Sequence, residues 1–292
     1  MSHRAATASG FGAAALWSVL ALLTAATGPV PPFQLLAMTF ALGGGVGALL
    51  WLIQPVRARA LRQPPAVWAV GVGGLFGYHA LYFAALKLAP PAEAGLVNYL
   101  WPLLIVLFSA ALPGESLRSR HVAGAFLGFA GVAVLAAGRG DLALRGQDAA
   151  GYACAFAAAF VWAGYSVMSR RLGSVPTDAV AGFCLATAAL GLACHLLFER
   201  TVWPPGPAAW AAIALNGLGP VGAAFYLWDI GVKRGDIRLL GVGSYAIPIA
   251  STLILVAAGY ATATASLALA CALIAAGAIL AARRDRAPAP PP

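Results

Sequence analysis

Tyr78, His79 and Tyr82 fall inside one apolar stretch of this 292-residue chain, at spacings that bring them onto one side of a helix. Residues four apart share a helix face, so the two tyrosines stack one turn apart with His79 beside them. A hydroxyl or imidazole turned toward hydrocarbon at that depth would lose its hydrogen-bond partners, at a cost of several kcal/mol. The face therefore looks into the protein, toward either a bound solute or a structural partner on a neighbouring helix. Trp17, Trp101 and Trp162 also stand near the middle of apolar stretches, where they either pack at helix interfaces or line a cavity; Tyr165 is an equal alternative to Trp162. In Asn98-Tyr99-Leu100-Trp101-Pro102 the proline removes a backbone donor and frees the carbonyl four residues earlier, that of Asn98. Pro248 does the same for Ser244. Two freed carbonyls beside small polar side chains can contact a solute, and Pro102 and Pro248 can equally act as hinges.

The chemistry these groups support is binding, not bond-making. Catalysis would need clustered carboxylates, paired histidines or metal-ligand spacing. The four histidines, His3, His79, His121 and His195, are widely separated, and no Walker A or GxGxxG sequence occurs. No enzyme, metal site or cofactor is expected. Cys154, Cys184, Cys194 and Cys271 have no CxxC spacing and read as small buried hydrophobes.

The elements that hold these residues are membrane helices. Hydrophobic residues make up 61% of the chain and charged residues 9%, too few to coat a soluble globule, which carries about 25%. The mean hydropathy is +0.85. A span needs about 20 apolar residues. Ten such stretches run over 10–28, 33–53, 66–87, 91–112, 121–138, 149–169, 177–198, 207–232, 237–259 and 263–282. They are too long and unalternating for barrel strands. The net charge of +9 forms no face for nucleic acid, because the basic residues sit in the gaps between stretches.

Those gaps set the orientation, since Lys and Arg concentrate on the cytoplasmic side. One alternate set holds fourteen: Arg4, Arg57, Arg59, Arg62, Arg118, Arg120, Arg170, Arg171, Lys233, Arg234, Arg238, Arg283, Arg284 and Arg286. The other holds four: Lys87, Arg139, Arg145 and Arg200. Both termini are then cytoplasmic. Thr24-Ala25-Ala26-Thr27 offers small residues for signal cleavage, but only Arg4 precedes the apolar run, so the first stretch is read as a retained span.

The chain also repeats. Lys87 and Lys233, Tyr99 and Tyr245, Pro102 and Pro248, and Gly131 and Gly277 are each 146 residues apart. Residues 1–143 and 144–292 then form two five-helix units, and an odd number of spans turns the second unit upside down. An inverted repeat is the architecture of alternating-access carriers, with a site near the midplane. The expected fold is all-α integral membrane, ten transmembrane helices in a five-plus-five arrangement.

Ala84-Ala85-Leu86-Lys87, Ala92, Pro102-Leu103-Leu104, Gly114-Glu115, Gly124 and Gly131-Val132 resemble the repeat of the drug/metabolite transporter superfamily, EamA type. Gly231-Val232-Lys233, Pro248 and Gly277 carry a weaker likeness in the second half, where Ala261 stands in place of the first half's Glu115. Within the family, residues 98–102 look most like the bacterial aromatic amino-acid exporters. The resemblance implies ten helices, cytoplasmic termini in a bacterial inner membrane, a central cavity and efflux of amino acids or related metabolites.

The residues expected to contact substrate are Trp17, Tyr78, His79, Tyr82, Asn98, Tyr99, Trp101, Trp162 and Ser244, with Pro102 and Pro248 as gate hinges. No Asp or Glu lies at the centre of a span, and intramembrane carboxylates are what mark ion relays. Asp229 stands four residues from Lys233, an ion-pair spacing. The expected activity is facilitative export of aromatic and other neutral amino acids by a chain that works in the bilayer as a monomer, with a dimer as the alternative. A proton-coupled exporter of another metabolite or drug is the alternative.

Overall fold

The structure, a computed structural model, describes residues 1–113, 117–138, 146–257 and 262–282, apart from the side chains at 91, 92 and 255. Glu115, Ala261, the 143/144 boundary between the two units, and Arg139, Arg145, Arg283, Arg284 and Arg286 lie outside the described residues. Among the described residues there is no strand. Nine helices among the described residues are long and apolar enough to cross a membrane: α1 His3–Ala26, α2 Pro32–Ile53, α3 Pro65–Leu88, α5 Ser119–Ala137, α6 Gly146–Arg171, α7 Ala179–Phe198, α8 Pro207–Arg234, α9 Ile237–Ile254 and α10 Ala265–Ala282. A shorter apolar helix, α4 Glu93–Ser109, fills the remaining position in the order.

Prolines set several of these starts. Pro32, Pro65 and Pro207 occupy the first turns of α2, α3 and α8, where the missing N–H has no intrahelical partner to lose. The principal packing pairs are α5 with α10, α2 with α7, α1 with α8 and α3 with α6. Around them α4 packs on α6 and α9, and α9 also packs on α1.

Glycines permit the closest of these approaches. A Cβ on Gly43 of α2 would come within 2.8 Å of the Gly222 Cα in α8, and one on Gly124 of α5 within 2.6 Å of the Gly277 carbonyl in α10. Small residues let helix backbones meet where lipid supplies no hydrophobic drive between them. Gly43/Gly47 and Gly124/Gly128 thus serve packing inside the chain.

Several helices are irregular, and four of the irregularities recur in pairs. Gly73–Gly77 in α3 and Gly219–Ala223 in α8 are single π turns, starting 146 residues apart. Such turns widen a helix locally and are frequent at functional sites. Helix α4 breaks after Asn98 and resumes at Trp101, while α9 breaks after Gly243 and resumes at Ala246. Pro102 and Pro248 therefore sit in the first turns of resumed segments, not within continuous kinked helices. There a proline costs little, because the first-turn N–H groups are free in any helix. The Ser244 carbonyl is not freed, since it accepts the Ile247 N–H at 3.0 Å.

Candidate functional site

The breaks and π turns surround a cavity of about 620 Å³ between α1, α2, α3, α4, α6, α8 and α9. Aromatic rings form its base. The Trp17 ring lies 5.5 Å from Trp162 and 5.2 Å from Trp228, and Trp101 lies 6.3 Å from Trp162 and 6.0 Å from Trp228. Phe225 closes the group, 6.0 Å from Trp17 and 5.9 Å from Trp162. Edge-to-face geometry between most of these rings is the favourable arrangement for aromatic quadrupoles.

The π turn of α8 fixes this base. Pro220 cannot donate to the helix, and its own carbonyl accepts the Trp17 indole N–H at 2.9 Å. Trp228 is buried and donates to the Ser166 hydroxyl at 3.1 Å, so it belongs to the interior although it lies near a helix end. By contrast, Trp203 and Trp210 are exposed and stack at 6.2 Å, as membrane-interface rings do.

The π turn of α3 positions one wall. Immediately after it, Tyr78 and Tyr82 stack with ring centres 5.9 Å apart and planes 13° from parallel, as their spacing predicts. The Asn98 amide N–H donates to the Tyr78 hydroxyl at 3.1 Å. His79 Nδ1 lies 2.7 Å from the Leu75 carbonyl, which can only accept, so Nδ1 carries the proton and Nε2 keeps its lone pair in the neutral ring. Phe40 packs edge-on against His79 at 5.1 Å.

Of the residues picked from sequence, Trp17, Tyr78, His79, Tyr82, Asn98, Tyr99, Trp101 and Trp162 all line this cavity. Ser244 does not. It is buried, and its hydroxyl bonds back to the Leu240 carbonyl at 2.7 Å. Tyr165 borders a small separate pocket toward Asp229 and Lys233. Neither Pro102 nor Pro248 reaches the wall. No Asp, Glu, Lys or Arg lines the cavity among the described residues.

Sequence reasoning missed Thr24, Thr39, Phe40, Asn216 and Phe225. Asn216 carried a usable signal: it precedes Pro220 by four residues, as Asn98 precedes Pro102. His195 is buried between Glu199 at 3.0 Å and Thr201 at 2.9 Å. It braces the end of α7, because Glu199 turns both oxygens to the Phe33 and Gln34 N–H groups at the start of α2, 3.0 Å each.

Residues 5–137 and again 149–283 match the EamA-like transporter family. The aromatic amino acid exporter YddG of Ancylobacter novellus is 60% identical over 282 residues, covering 96% of this chain and 98% of that protein. The protein of the same name in Escherichia coli is 26% identical, covering 86% of this chain and 88% of its own. A solved crystal structure with 59% identity superposes with a TM-score of 0.93, covering 96% of this chain and 97% of the other.

Proposed function

From a chain that belongs to the EamA-like transporter family, and is thus a multi-pass membrane transporter, we propose an exporter of aromatic and other neutral amino acids. The observation that carries this reading is the cavity itself, a space of about 620 Å³ walled by aromatic rings and, among the described residues, free of charged side chains. Its size falls within the range that buries a small organic solute. Its walls take an apolar side chain, while the hydroxyls, amides and His79 meet the polar end. The relatives named above as aromatic amino acid exporters support the same solute class.

The mechanism is alternating access by ten spans in two inverted five-helix units, residues 1–143 and 144–292. Support comes from the packing: exchanging the two units turns the α1–α8 pair into α6–α3, and α4–α6 into α9–α1. The π turns and helix breaks obey the same exchange. Pro102 and Pro248 mark the hinges, each opening a helical segment below a break. The excess of Lys and Arg in one set of gaps supports cytoplasmic termini, and the bacterial relatives support the inner membrane. The cavity, lined by late α1 and α3 and early α2 and α4, then occupies the outer half. A monomer contains the whole site.

Transport is facilitative, since no carboxylate in the cavity offers an ion relay. Uptake of labelled phenylalanine and threonine into proteoliposomes, with and without an imposed pH gradient, tests this. Transport that ignores the gradient is the expected result. Dependence on the gradient would favour proton coupling through His79, the titratable imidazole in the wall. Cysteines introduced at Ala25 and Gln63 should label from opposite sides of the membrane; labelling from one side would overturn the orientation.

A further inference from the structure

Several polar atoms in the cavity wall are already used. The Trp17 N–H is bound to Pro220, the Thr39 hydroxyl to the Leu35 carbonyl, and His79 Nδ1 to Leu75. Two are not. Asn98 and Asn216 both line the cavity, are 4% and 2% exposed, and leave Oδ1 without a hydrogen-bond partner. Their amide nitrogens are held in place, Asn98 on the Tyr78 hydroxyl at 3.1 Å and Asn216 on the Thr24 hydroxyl at 3.4 Å. In each amide the nitrogen is occupied and the oxygen is the atom left without a partner. Each asparagine also stands four residues before a proline, Pro102 or Pro220, which deprives its backbone carbonyl of the usual helical donor.

Buried acceptors left unpaired are costly unless a ligand supplies the proton. His79 Nε2 adds a third lone pair to the same cavity. The aromatic faces of Trp17, Tyr78, Tyr82, Trp101 and Trp162 favour a cation near them through their quadrupoles. A carboxylate would meet no Lys or Arg among the described lining residues and would rely on neutral donors, the tyrosine hydroxyls and the Trp101 and Trp162 indoles. A primary ammonium, with three N–H donors and a positive charge, fits these acceptors and rings together.

We propose that the side-chain oxygens of Asn98 and Asn216 bind the ammonium group of the transported solute, and that Asn216 is a specificity-determining residue selecting solutes with a free amine. The inference rests on the amino-acid reading above for its choice of solute, and its test separates the two. The full-length chain is compared in thermal-shift binding and in competition against phenylalanine counterflow, using phenethylamine, which lacks the carboxylate, and phenylpropionate, which lacks the amine.

Phenethylamine should bind and compete, with phenylpropionate weaker by about tenfold to a hundredfold, the worth of a charge-assisted hydrogen bond. Asn216→Leu should remove most of that preference, and Asn216→Asp, which keeps the acceptor, should retain it. Phenylpropionate binding as well as phenethylamine, or an amine preference untouched in Asn216→Leu, would overturn the proposal even with phenylalanine transported normally. Binding of phenethylamine without any binding or transport of phenylalanine would instead keep the ammonium site and discard the amino-acid reading. Should Asn216→Leu fail to fold, the wild-type ranking of the two analogues decides.

Discussion

Trp17 donates its indole N–H to the carbonyl of Pro220 at 2.9 Å, a bond between residues 203 positions apart. It ties the first long helix to the π turn of the eighth, at the base of the cavity. The bond exists because the π turn exposes a carbonyl that a regular helix would occupy, and the indole supplies the one donor that reaches it.

Trp17→Phe keeps an aromatic ring among Trp162, Phe225 and Trp228 but removes the N–H. A buried carbonyl left unpaired costs about 1–3 kcal/mol. The expected result is a lower unfolding temperature and reduced flux, with the cavity still formed. Trp17→Ala should lose more, about 3–5 kcal/mol, because a cavity opens among the rings. Equal stability of wild type and Trp17→Phe in detergent unfolding would show that the bond contributes nothing.

Asp229 and Lys233 form a buried ion pair at 2.8 Å, with Thr177 donating to the same carboxylate at 2.7 Å and Lys233 also donating to the Val175 carbonyl at 2.8 Å. Such a pair is costly to break from one side, because the survivor is a buried unpaired charge. Asp229→Leu or Lys233→Met alone should each lose about 3–5 kcal/mol, and the double variant should recover most of it. Denaturant titration of all four proteins checks this. Additive losses in the double variant would mean the two groups do not act on each other.

Glu199 closes the opposite end of the bundle, accepting from the Phe33 and Gln34 N–H groups and standing 3.0 Å from His195 Nδ1. A carboxylate over a helix N-terminus meets both free N–H groups and the positive end of the helix dipole. Glu199→Ala leaves two backbone donors and Nδ1 of His195 unpaired, and should cost about 1.5–3 kcal/mol, typical of one charge-assisted bond, or more. Glu199→Gln should fall between, since the amide can accept at one oxygen only. An unfolding midpoint unchanged in Glu199→Ala would remove the clamp from the account.

The helices and most of the cavity wall were legible because a mid-span tryptophan or tyrosine pair departs from the interfacial habit of such residues. Tyr78, His79 and Tyr82 could be placed by their helical spacing and the cost of turning polar groups to lipid, while the mid-span position of Trp101 left helix packing and cavity lining both open. Ser244 was misplaced by carrying a role across the repeat. Its partner Asn98 is long enough to cross to Tyr78, whereas the serine hydroxyl reaches only the carbonyl of Leu240, one turn back. Trp228 sits within a few residues of a helix end yet is sealed by neighbours that linear position does not reveal. Phe40 and Phe225 have no distinguishing spacing in so apolar a chain. Their place in the wall depends on helix rotation, which α2 and α8 settle only where Gly43 and Gly222 let them meet.

That close approach can be tested directly. A Cβ on Gly43 would press within 2.8 Å of the Gly222 backbone, whereas one on Gly45, two residues on, meets nothing within 4 Å. Overpacking at a backbone contact costs about 1–3 kcal/mol, because neither helix axis can yield without moving its other contacts. Gly43→Ala should therefore lower the unfolding temperature and shift α2 away from α8, carrying Phe40 out of its stack on Phe225, whose ring lies 5.4 Å away. Flux should fall with it. Gly45→Ala, which also trades a flexible residue for a better helix former, should be neutral or stabilising by up to about 1 kcal/mol. The two substitutions are chemically identical, so a difference between them measures the α2–α8 contact, and equal effects would place that contact elsewhere.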